Sequence, residues 1–65
     1  MIDSNLVYRL EGNNSFDTIV TIPVSSFEEA IIMISKIVSV QNVLSAHFIQ
    51  TANGLITRKV NFNLP

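Results

Sequence analysis

Val20-Thr21-Ile22-Pro23-Val24-Ser25-Ser26-Phe27-Glu28-Glu29-Ala30-Ile31 holds the change of period that decides the fold. Up to Val24 the apolar side chains recur every second residue, as on a strand with one buried face. Beyond Ser26 they recur every three or four residues, as on a helix. Pro23 ends the strand because it has no N–H for a ladder. The serines carry Ser-x-x-Glu twice, as Ser25 with Glu28 and as Ser26 with Glu29. Either pair makes a capping box for the orphan N–H groups of a helix start, and both carboxylates complement the helix dipole. Phe27, Ala30, Ile31, Ile34, Ile37 and Val38 form one stripe of a helix expected over residues 26–40, with Ile32, Met33 and Val40 off it. That arc is wider than one sheet contact needs, so the helix either sits deep in the core or offers a second strip to another subunit.

Towards the N-terminus, Leu6, Tyr8 and Leu10 alternate with Val7 and Arg9, and Phe16, Thr18, Val20, Ile22 and Val24 alternate with Asp17, Ile19 and Thr21. Gly12-Asn13-Asn14-Ser15 between them is turn chemistry. A three-residue turn between Glu11 and Ser15 sets Leu10 opposite Phe16, Tyr8 opposite Thr18, Leu6 opposite Val20 and Arg9 opposite Asp17. Towards the C-terminus, Gln41-Asn42 breaks the pattern before Leu44, Ala46 and Phe48 alternate with Val43, Ser45, His47 and Ile49. Asn53-Gly54 is the clearest hairpin signal. A two-residue turn there pairs Phe48 with Lys59. A three-residue turn with Gly54 in the left-handed region pairs Leu44 with Phe62 and Ala46 with Val60, and is preferred because it makes one apolar face.

The expected fold is α+β, ββαββ, a single domain over residues 1–65 with hairpin 5–24, helix 26–40 and hairpin 43–62. Its four-stranded antiparallel sheet carries the helix on the face of Leu6, Tyr8, Val20, Ile22, Leu44, Phe48, Val60 and Phe62. The pattern leaves the strand order open, as well as any exchange of a hairpin between two chains.

A chain of 65 residues buries only about 60% of its unfolded surface, so its core is thin. With no cysteine, disulfides and thiolate metal sites are excluded, and oligomerisation is the remaining source of stability. A content of 48% apolar and 14% charged residues argues against disorder. The densest apolar run, Ala30 to Ile34, is far short of the roughly 20 residues that span a bilayer. Met1-Ile2-Asp3-Ser4-Asn5 has neither the basic region nor the apolar run of a signal peptide, so a cytoplasmic location is expected, without a membrane partner. A net charge of −1 with no run of cations disfavours duplex binding by a monomer.

Catalytic chemistry finds little to work with. His47 is the one histidine, and Ser45, two positions away, is its nearest hydroxyl by sequence. Nothing supplies a third member or an oxyanion hole, so His47 is read as a strand residue on a half-exposed face. Glu28 and Glu29 point about 100° apart and are cap residues, not a paired acid and base. His47 with Asp3, Glu11 and Asp17 has no ligand spacing, so neither a metal nor a cofactor is expected.

The candidate binding residues lie elsewhere. Val7, Ile19, Val43, Ile49 and Leu55 fall on the outer sheet face with Arg9, His47 and Lys59, a more apolar set than a solvated face needs. Arg58 falls on the helix side opposite Phe48, its stem covering that ring and its guanidinium reaching water. Arg9, Arg58 and Lys59 could together make a basic patch in an oligomer.

Strand, turn, strand and then a Ser26-Phe27-Glu28-Glu29-Ala30 helix start is loosely similar, over residues 6–37, to the beginning of HicB-type antitoxins. It lacks the Pro-Asp-Leu-Pro-Gly-Cys-like segment that precedes the helix there. The resemblance implies an antitoxin-like regulator, the third of three expectations. The first is a non-enzymatic protein-binding module acting as a homo-oligomer, an inhibitor or accessory protein; high Ile and Asn with little Lys suits a phage or mobile element. The second is a binder of a small ligand, nucleotide or nucleic acid, with its site between subunits.

Overall fold

The computed structural model describes residues 1–12 and 18–64. They form β1 (Ile2–Leu10), β2 (Thr18–Pro23), α1 (Phe27–Val38), β3 (Val43–Ala52) and β4 (Leu55–Asn61). The expected ββαββ order and four-stranded antiparallel sheet are present, and the strand order is β2-β1-β3-β4. The first strands of the two hairpins therefore meet in the middle. β2 and β3 run parallel on either side of β1, and α1 makes the crossover between them. The two central strands supply the two most deeply buried large side chains, Leu6 and Phe48, each 0% exposed and facing one another across the β1–β3 ladder.

Ser26 is the N-cap of α1, its Oγ accepting from the Glu29 N–H at 3.1 Å. Ser25 engages the side chain of the same residue, donating its hydroxyl to Glu29 Oε2 at 2.6 Å. The helix ends at Val38, with Ser39 as its C-cap, so Val40 lies beyond it and is exposed. Ala30 and Ile34 are buried against the sheet, flanked by half-buried Phe27, Met33, Ile37 and Val38. Met33 thus belongs to the packed stripe, whereas Ile31 and Ile32 face solvent.

Away from two bulges, both hairpins keep the expected faces but slide by two residues. In the first, Leu6 pairs with Ile22, Tyr8 with Val20, Leu10 with Thr18 and Arg9 with Ile19. β1 also begins at Ile2, four residues before the expected alternation. Asn13 and Asn14 of the expected turn, its bracketing Ser15, and the expected partners Phe16 and Asp17 lie outside the described residues.

In the second hairpin Asn53 (φ 53°) and Gly54 (φ 80°) form a two-residue turn, the left-handed pair a type I′ connection requires. Ala52 pairs with Leu55 and Thr51 with Ile56; then Thr57 is an extra residue, and pairing resumes as Gln50 with Arg58 and Phe48 with Val60. The bulge reconciles the short turn with a single apolar face.

A second irregularity follows Arg9. Arg9 pairs with Ser45 but Leu10 with Val43, which leaves Leu44 as the extra residue. Val43 consequently packs against the core, and Leu44, expected there, is 45% exposed.

Candidate functional site

Six of the nine candidate residues share the outer sheet face. Cross-strand rows run Ile19–Arg9–Ser45, then Thr21–Val7–His47–Asn61, then Asn5–Ile49–Lys59. Between them lies a shallow depression of about 200 Å³ bounded by Val7, Tyr8, Arg9, Ile19, Ser45 and His47. Ile19, 67% exposed, forms its rim on the edge strand. The other three candidates are elsewhere. The two bulges remove Val43 and Leu55 from this face, placing Val43 opposite Leu10 and Leu55 opposite Ala52. Arg58 is on the helix side, as its alternation required.

His47 sits between Val7 and Asn61 on the neighbouring strands. Its pKa is held below the ordinary value of 6.5, first by partial burial and second by the charge of Lys59. Both effects favour the neutral ring. No carboxylate stands opposite His47 in either ladder, and Ser45 is beside it only as the next residue on the same face. Among the described residues no three of His, Asp or Glu are grouped as metal ligands would be.

Arg58 caps an aromatic cluster. Phe27 meets Phe48 edge-on with centroids 5.3 Å apart and stacks on Phe62 at 5.7 Å. The Arg58 guanidinium carbon lies 5.0 Å from the Phe27 centroid and 5.7 Å from that of Phe48. The expected contact with Phe48 is therefore made, although the residue directly opposite Arg58 is Gln50, whose amide donates to Ser4 Oγ at 3.1 Å. The three cations are divided: Arg58 faces the helix, while Arg9 and Lys59 lie two rows apart on the outer face.

One surface escaped the reading of the pattern. A 12-residue helix is about 18 Å long, but strands the length of β1 and β3 run about 30 Å, so α1 covers only part of its face. The row Ile2–Ala52–Leu55 lies past the helix start, with Leu55 72% exposed. The alternation Ile2, Ser4, Leu6 was the available signal. No helix among the described residues is long and apolar enough to cross a membrane. Comparison with known proteins gives no match, whether to a family model, a curated protein or a solved structure.

Proposed function

We propose that this chain is a cytoplasmic, non-enzymatic protein-binding module of inhibitor or accessory type, which works as a homo-oligomer and docks its protein partner on the outer face of the sheet. The observation that carries this reading is the outer depression, where Val7 and Ile19 lie beside Arg9, Ser45 and His47. An apolar centre with a polar rim is the usual anatomy of a protein–protein contact. The division of Arg58 from Arg9 and Lys59 supports a protein partner over a nucleic acid, whose phosphates call for gathered cations. The surroundings of His47 support a contact role: Val7, Asn61 and Lys59 offer it no proton relay.

Co-purification from the natural host tests the assignment, with Ile49→Lys on the outer face compared with Ile32→Lys on the exposed side of α1. A charge placed in a buried contact must be desolvated without a partner, so Ile49→Lys should lose the bound protein while Ile32→Lys keeps it. Retention by both variants, with unchanged helicity, would place the docking surface elsewhere.

A further inference from the structure

We infer that two copies of the chain join by antiparallel pairing of β2 with β2, centred on Val20, into one continuous sheet of twice the width. This rests on the homo-oligomeric reading and specifies the edge through which it is built.

Backbone direction comes first. The Val24 N–H donates to Ser4 O at 3.0 Å, and in an antiparallel ladder alternate residues point the same way. Ile22, Val20 and Thr18 therefore bond β1, and the N–H and C=O groups of Ile19 and Thr21 point to the open edge. Among the described residues nothing pairs with that edge. At the other side of the sheet the Phe62 N–H donates to Ala46 O at 3.0 Å, so Lys59 and Asn61 point outward from β4.

The two edges differ in charge. β2, Thr18–Pro23, has no ionised side chain, whereas β4 carries Arg58 and Lys59 in succession. Two copies joined through β4 would double both cations in one short seam, and like charges across a ladder are destabilising. Consecutive cations protect an edge; β2 has no such guard.

Chemistry also selects the register. Pro23 lies at an outward position and has no N–H to donate, so pairing is best centred before it. With Val20 on the two-fold axis, Ile19 of each copy meets Thr21 of the other, and both pairs exchange both N–H···O bonds. On the helix side Val20 meets Val20 and Thr18 meets Ile22, so each face stays in register. Ile19 is covered, both helices lie on one side, and the two outer faces run side by side.

Sedimentation equilibrium at micromolar concentration, with circular dichroism as the check on folding, tests the inference. The wild type should sediment at twice 7.2 kDa. Thr21→Pro removes an outward N–H that the fold does not use and should give a folded monomer; Asn61→Pro, its counterpart on β4, should remain a dimer. Two double variants read the register without proline. Ile19→Glu with Thr21→Glu sets like charges opposite each other and should raise the dimer dissociation constant about tenfold or more. Ile19→Glu with Thr21→Lys sets opposite charges there and should restore it. If Thr21→Pro fails to fold, this pair decides the matter. Equal association of the two double variants, or a Thr21→Pro chain that associates like wild type, overturns the inference. A dimer broken by Asn61→Pro alone overturns it while leaving the homo-oligomer standing; a monomeric wild type removes both.

Discussion

Truncating Phe48 should remove about half of the folding stability or more. A chain of 65 residues has roughly 3 to 10 kcal/mol in total at the usual 0.05–0.15 per residue. Phe48 is fully buried, faces Leu6 and Val60 across both ladders, and meets Phe27 edge-on. Phe→Ala at such a site costs about 3 to 5 kcal/mol. The upper part of that range applies, because the same substitution forfeits the ring pair, itself about 0.5 to 1.5 kcal/mol. Urea unfolding followed by circular dichroism, at one fixed protein concentration so that association does not enter, measures the loss. With a slope of about 1 kcal/mol per molar for so small a domain, Phe48→Ala should lower the urea midpoint by about 4 M, or leave the chain unfolded without urea where the wild-type midpoint is lower than that. Phe48→Leu keeps most of the volume and should cost only about 1 to 2 kcal/mol. Arg58→Ala, which loses only an exposed cation over two rings, should cost about 0.5 to 1 kcal/mol. A Phe48→Ala variant within about 1 kcal/mol of wild type would refute this account of the core. So would an Arg58→Ala loss as large as that of Phe48→Ala.

Two further outcomes follow from the second hairpin and from His47. Deleting Thr57 joins Ile56 to Arg58 and preserves Thr51 opposite Ile56 and Gln50 opposite Arg58, so it should change stability by no more than about 1 kcal/mol. Deleting Val60 leaves Lys59 or Asn61 to face Phe48 and should cost about 3 kcal/mol by the same urea measurement. For His47 the folded pKa lies below its ordinary value, so near that value the unfolded chain binds more protons than the native one. Stability therefore rises with pH across the interval from the lowered folded pKa up to 6.5, and is lost as pH falls through it. His47→Asn should flatten this slope in urea midpoints measured across the interval; an unchanged slope would assign the dependence to other groups.

The period of each element was legible in the sequence, and so, away from the bulges, was the face that each side chain occupies. Register was not. Sliding a strand by two residues returns every side chain to its own face, so an apolar pattern cannot distinguish Leu6 opposite Val20 from Leu6 opposite Ile22. Turn length and bulges make that choice, and neither bulge residue, Leu44 or Thr57, is marked by a glycine or a proline. Because a bulge reverses parity beyond it, the misplaced outer-face candidates are the two that lie past one: Val43 beyond Leu44, and Leu55 beyond Thr57. Val7, Arg9, Ile19, His47, Ile49 and Lys59 have no bulge between them and the middle of the sheet, and they share one face.

Strand order carried a usable signal in two residues with another evident purpose. Pro23 marks the end of a strand, but its missing N–H, on the side away from β1, also suits an edge strand of the chain's own sheet, whose outer side has no neighbour within the chain that needs a donor at that end. Arg58 and Lys59 appear as a possible ligand site, but one cation on each face of a short strand is also an edge device, leaving neither side of β4 free of charge. With β2 and β4 assigned to the edges, β1 and β3 must meet in the middle, and the helix between β2 and β3 must cross over β1. The order β2-β1-β3-β4 then follows, and with it the placement of Leu6 against Phe48. The same reasoning bears on the proposed pairing: the edge with consecutive cations is guarded, and the uncharged one, stopped by Pro23 at its far end, is the edge that the proposed dimer uses.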